Sequence, residues 1–148
     1  MSTPDAALEP FAALIGAWDT AATHPGFEAV VPGITTFEWL EGRQFVLQRS
    51  HNDDAAFPDA LSVIGAPEAG GGLVAEYFDS RGVRRTYGVA LQDGVLRLWR
   101  EQPGFDQRFA ARLGPDAFDG LWETAETQGA WRDDLAVAYR RRGLAGKS

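Results

Sequence analysis

The chain has 148 residues, 45% of them hydrophobic and 24% charged, a composition that suits one soluble globular domain spanning 1–148. A formal net charge of −7 with no Lys/Arg stripe argues against a nucleic-acid partner, and no apolar run approaches the ~18 residues that cross a bilayer. Cysteine is absent, which removes disulfides, thiolate catalysis and cysteine-based metal sites.

The first predicted element is a short helix over residues 4–15. Ser2 or Thr3 can cap it, Pro4 suits its first turn, and Asp5 sits at the positive end of its dipole. Leu8, Phe11, Leu14 and Ile15 then share one face at helical spacing. Pro10 interrupts the pattern, so two short turns are the alternative to one helix. The same stretch, "MSTPDAALEP", lacks the basic and apolar regions of a secretory signal, so the expected location is cytoplasmic.

From Gly16 onward, turn signals recur about every ten residues: Pro32-Gly33, Glu41-Gly42, Pro58-Asp59, "APEAGGG" at 66–72, Ser80-Arg81-Gly82, Asp93-Gly94, Pro103-Gly104, Gly114-Pro115-Asp116 and Gln128-Gly129. Between them lie runs rich in β-branched and aromatic residues, among them "FVLQRS", "LSVIG", "LVAEYF", "TYGVAL", "VLRLWRE" and "LAVAYR". About ten strands with tight connections predict an all-β fold, an antiparallel up-and-down meander. Exposed edges are a liability, so the sheet is expected to close into a barrel with the N-terminal helix plugging one end. Residues 143–148 read as a loose tail.

Side chains alternate along a strand, so an anchored residue assigns its neighbours. With Trp18 pointing inward, the small residues Thr20 and Ala22 share its face and leave space above the ring. His24 lies about 20 Å higher at ~3.3 Å per residue, close to the mouth. On the second strand Phe37 and Trp39 are read as inward. On the third, Phe45 and Leu47 share parity with Arg49 and His51, an apolar base below a polar top. Gln107 and Phe109 oppose Asp106 and Arg108 with clear alternation. The strand 95–101 is ambiguous, because Leu96 and Leu98 share a face with Arg100 whereas Trp99 shares one with Arg97. Trp39 and Trp99 are the tryptophans chosen as cavity lining. The expected ligand-binding set is therefore His24, Phe37, Trp39, Arg49, His51, Trp99, Gln107 and Phe109.

Gly16-Ala17-Trp18 on a first strand, after a short apolar helix, resembles the G-x-W signature of the calycin barrels, which include lipocalins and fatty-acid-binding proteins. That resemblance implies a tryptophan at the closed base crossed by a basic residue from the last strand, here Arg141 or Arg140. The segments "TTFEWLEGRQFVLQRSH", "FPDALSVIG", "YFDSRGV", "LRLWRE", "GFDQRF" and "GLWE" further resemble small bacterial barrels of unassigned function distantly similar to nitrobindins. Nitrobindin-type barrels bind haem through a histidine near the C-terminal strands. This chain has two histidines and none after His51, so haem binding is a less favoured third reading, with a purely structural or interaction module the fourth, and no cofactor is expected.

The leading expectation is a barrel that binds a small, largely apolar molecule inside, as a monomer or homodimer. The alternative is a cavity enzyme (isomerase, cyclase or hydrolase) with His24 as acid/base, since imidazole titrates near neutrality, and Arg49 opposite developing negative charge. No H-x-H pair or carboxylate spacing supports a metal site, and no P-loop, Rossmann, nucleophile-elbow or zincin motif occurs.

Overall fold

Ten strands follow one another in the computed structural model, which describes residues 6–143: β1 (Gly16–His24), β2 (Phe27–Trp39), β3 (Val46–Asn52), β4 (Ala60–Gly65), β5 (Val74–Asp79), β6 (Arg84–Gln92), β7 (Val95–Arg100), β8 (Asp106–Arg112), β9 (Ala117–Ala125) and β10 (Arg132–Arg141). Each pairs antiparallel with the next, and β1 pairs with both β2 and β10, so the sheet closes. Trp18 stands opposite Thr35 on one side and Arg141 on the other. Closure gives every strand two neighbours and leaves no unpaired edge. No helix among the described residues is long and apolar enough to cross a membrane.

The tight turns follow from local chemistry. Asp93 and Gly94 both have positive φ, 54° and 76°, as the Asp-Gly hairpin between β6 and β7 requires. The N-terminal element is a 3-10 helix, Ala6–Ala13, with Pro10 inside it. A proline at that point has no N–H to give and clashes with the carbonyl four residues back, which disfavours α geometry. In a 3-10 helix, residues three apart line up on one edge. Leu8, Phe11 and Leu14 have that spacing, and all three are fully buried against the end of the barrel. The helix therefore plugs the base, in a tighter form than the expected α turn. The expected cap at Ser2 or Thr3, Pro4 and Asp5, and the tail beyond Gly143, lie outside the described residues.

The plug and the barrel meet at Trp18. Its indole is fully buried, donates from Nε1 to the Leu14 carbonyl (2.9 Å) and packs edge-on against Phe118, with centroids 5.0 Å apart. The Arg141 guanidinium lies over its face, 4.2 Å from the ring centroid. That guanidinium also donates to the carbonyls of Ala13, Ile15 and Pro115, tying helix, first strand and the β8–β9 turn together. The glycine of the Gly16-x-Trp18 pattern has a reason as well. It sits at φ 130°, and a Cβ there would meet Arg141 Nη1 at 3.1 Å.

Two inward-facing assignments need correction. On β3 the inward residues are Val46, Gln48, Ser50 and Asn52; Arg49 and His51 are exposed on the outer face. Phe45, which anchored the opposite reading, precedes the strand, and its ring covers Gly65 at the end of β4. On β7 Leu96 and Leu98 point inward, and Trp99 is 45% exposed outside. Its indole rests on Gly88, the residue opposite it on β6, where a Cβ would overlap the ring. In both places an aromatic ring fills the hollow left by a glycine on a neighbouring strand.

Candidate functional site

Protein atoms do not fill the barrel. Above Trp18 and Phe118 a cavity of about 560 Å³ runs toward the end opposite the helix, within the size range of small-molecule sites. A wider depression of about 700 Å³ at the closed end is a seam between Pro10, Ala13 and the turns at 91–94 and 113–115. The seam is bounded largely by turn residues, whereas the cavity is enclosed by side chains from across the barrel.

The cavity has two unlike walls. On one side Leu96, Leu98, Phe109, Trp122, Leu135 and Val137, from β7 to β10, form an aliphatic and aromatic surface. Gly120 on β9 makes room in that wall, because a Cβ there would overlap the Phe109 ring. On the other side Thr20, Thr35, Gln48, Ser50 and Ser62, from β1 to β4, present hydroxyls and an amide. Thr35 and Ser50 hydrogen-bond to each other at 3.0 Å. Thr20, Gln48 and Ser62 make no side-chain hydrogen bond to protein among the described residues. Among the described residues no fully buried polar side-chain atom lacks a partner, so these groups keep contact with the cavity.

Three tyrosines complete the interior. Tyr87 donates to Gln107 Oε1 at 3.2 Å, which leaves the Gln107 amide nitrogen facing inward. Burial pushes the Tyr139 phenol up to about 12. Tyr77 is also raised well above the ordinary phenol value, by burial first and then by the Asp79 carboxylate to which it donates at 2.7 Å. Both phenols therefore stay protonated donors at neutral pH.

The mouth is built from the β1–β2, β3–β4 and β5–β6 connections, with the Arg81–Asp79 ion pair on one side and a His24–Asp134 contact on the other. Phe27, after the β1–β2 turn, meets Phe57 of the β3–β4 loop edge-on, with centroids 5.4 Å apart. Asp79, at the end of β5, has a fully enclosed carboxylate and lies well below the usual carboxylate range. The Arg81 guanidinium, at 2.6 Å, is the main cause; burial opposes it, and Tyr77 and the amides of Arg81 and Val83 add further donors. These contacts fix the β5–β6 turn, with Arg81 and Arg85 both on the cavity rim.

Across the mouth, His24 Nδ1 accepts the Gly26 N–H at 3.0 Å. An amide can only donate, so the hydrogen of the neutral ring is on Nε2, which faces Asp134 Oδ1 at 3.2 Å. Both nitrogens are engaged, and His24 latches β1 to β10.

Of the expected ligand-binding set, the structure brings His24, Phe37, Gln107 and Phe109 to the cavity. Trp39 points inward but lies at the closed end, packed on the core beneath the Arg43 guanidinium, and it does not line the cavity. Arg49 pairs with Glu38 outside the barrel at 3.2 Å, and Trp99 lies outside as described. The apolar interior expected from sequence is thus only half of the wall. Thr20 shares Trp18's inward parity and Thr35 that of Phe37; Gln48, Ser50 and Ser62 needed the strand register.

His51 has a different place. Its ring bridges Asp59 at 3.0 Å and Asp53 at 3.2 Å on the outer surface, closing the two ends of the β3–β4 loop on each other. The hydrogen bond to Asp59 raises the histidine above its ordinary 6.5 and holds Asp59 below its ordinary 3.8. A raised folded-state value stabilises below 6.5 and loses that effect as pH rises through it; a lowered one stabilises above 3.8 and loses it on acidification. The staple is therefore complete between those limits. Amide exchange over residues 53–59 is expected to be slowest near pH 5, after correction for intrinsic rates, and to accelerate on either side. A His51→Gln variant is expected to lack that minimum.

The barrel has a counterpart of known structure. This chain is similar to Rv2717c of M. tuberculosis. The two folds superpose with a TM-score of 0.67 over 95% of this chain and 99% of that one, at 13% sequence identity. At that identity the likeness shows the fold alone. No protein-family model and no curated protein matches the sequence.

Haem, the cofactor suggested by the nitrobindin resemblance, does not fit the donor set. His51 is outside the barrel, and both nitrogens of His24 are committed to Gly26 and Asp134. No imidazole nitrogen is left to take an iron in the cavity.

Proposed function

We propose that this protein binds a small molecule within the barrel, one with an apolar body and a polar edge. The observation that carries the reading is the two-walled cavity of about 560 Å³, with an aliphatic and aromatic face opposite a hydroxyl and amide face on which Thr20, Gln48 and Ser62 have no side-chain partner among the described residues. Removing apolar guest surface from water at ~25 cal/mol per Å² supplies most of the affinity. Hydrogen bonds to Gln48, Ser62 and Thr20 orient the guest, because each would otherwise meet only water in a confined space. Entry is past Phe27 and Phe57 at the mouth.

The cavity-enzyme alternative draws no support from the position of its proposed acid/base. His24 has no ring nitrogen directed at a guest, and Arg49 is outside.

The neutral fluorophore N-phenyl-1-naphthylamine tests the reading. One molecule per chain is expected to bind with micromolar affinity, brighten, and quench the emission of Trp122, which lines the cavity. A chain that leaves this probe dark at all concentrations refutes the proposal.

A further inference from the structure

Resting on the cavity reading above, we infer that the guest carries an anionic oxygen group, of the carboxylate or sulfonate class, seated against Arg85. Arg85 is half-buried on β6, directly opposite Tyr77 of β5, and lines the cavity at its rim. Its guanidinium lies over the ring of Phe105, another cavity residue, 5.3 Å from the centroid, a cation–π contact. Among the described residues no carboxylate pairs with it.

The carboxylates around it are already used. Asp79 spends both oxygens on Arg81, Tyr77 and the amides of Arg81 and Val83. Asp134 faces His24 on the other side of the mouth, Asp106 accepts the Gln102 amide, and Glu76 accepts from Thr86. In a chain of net charge −7, a cation facing an enclosed space without a counter-ion is the exception. A guanidinium whose contact is with a ring face keeps its fork of N–H donors free, and that fork matches two oxygens of one anionic group. The Asp134 side of the mouth repels such a group. The anion therefore sits on the β5–β6 side, with the apolar body extending down toward Leu98 and Phe109.

Two probes with nearly the same body separate this inference from the reading beneath it. 8-Anilino-1-naphthalenesulfonate carries the negative group, and N-phenyl-1-naphthylamine lacks it. Wild-type protein is expected to bind the anion at least as tightly as the neutral probe, although the neutral one is the more apolar. Arg85→Met keeps an unbranched stem over Phe105 and removes the charge; it is expected to weaken the anion about 10- to 100-fold and the neutral probe by no more than ~2-fold. Arg85→Lys is expected to recover most of the loss. Arg84→Met, which alters the outward guanidinium over Phe78, is expected to change neither. Equal losses for both probes in Arg85→Met, or none for the anion, overturn the anionic assignment and leave the cavity reading standing. Should Arg85→Met fail to fold, the wild-type preference decides: a neutral probe bound more than tenfold tighter than the anion overturns it. If neither probe binds the wild type, both readings fall.

Discussion

Trp18→Ala is expected to lower the unfolding free energy by roughly 3–5 kcal/mol, the range for deleting a large buried aromatic. The indole is fully buried, and three contacts go with it: the bond to the Leu14 carbonyl, the edge contact with Phe118 and the face covered by Arg141. Set against a total stability of ~5–15 kcal/mol, this is enough to lower the melting temperature by about 10–15 °C. Trp18→Phe keeps most of the packing and loses the N–H donor, so it is expected to cost about 1–2 kcal/mol. Urea denaturation followed by far-ultraviolet circular dichroism measures both. A melting temperature for Trp18→Ala within ~3 °C of wild type would show that the plug does not depend on this ring.

Ala22→Phe tests the hollow from the other side. Ala22 lies on β1 between Val31 and Val137, and its methyl faces the cavity. In a close-packed core the added ring costs ~1–3 kcal/mol through strain. Here the space already exists, so the stability change is expected to stay below ~1 kcal/mol. The ring excludes on the order of 100 Å² of guest surface, about 2.5 kcal/mol at ~25 cal/mol per Å². The affinity for N-phenyl-1-naphthylamine is therefore expected to fall several tens of fold, measured by fluorescence titration of a protein that melts like wild type. Severe destabilisation with unchanged binding would mean that side chains fill the middle and the probe sits elsewhere.

What could be read from the residues alone follows a physical division. Asp93-Gly94 was legible because its demand is local, two positive φ values, whereas Gly16-x-Trp18 was legible only through its resemblance to a known signature, since its partner Arg141 lies at the other end of the chain. The β8 alternation was legible because Gln107, Phe109 and Ala111 face a buried interior while Asp106, Arg108 and Arg112 do not. β3 was misread because both of its faces carry polar residues, and the deciding contact, Phe45 on Gly65, is made across strands. Trp99 on Gly88 is the same device. A glycine that leaves a place for an outer ring announces itself only once the register is known. Most of the hydroxyl wall stayed hidden for a related reason, since an inward Ser50 or Ser62 cannot be told by type from an outward serine. The sequence carries no Lys/Arg stripe to single out Arg81 and Arg85, and only the β5–β6 hairpin brings both to the mouth.

The most direct test of the enclosed binding site is a methyl-detected nuclear magnetic resonance titration with N-phenyl-1-naphthylamine. Ring-current shifts are expected at Leu96, Leu98, Leu135 and Val137, which face the cavity, and not at Val30 and Leu40, which are exposed outside. Shifts confined to the outer residues, or none at any of the six, would contradict the account.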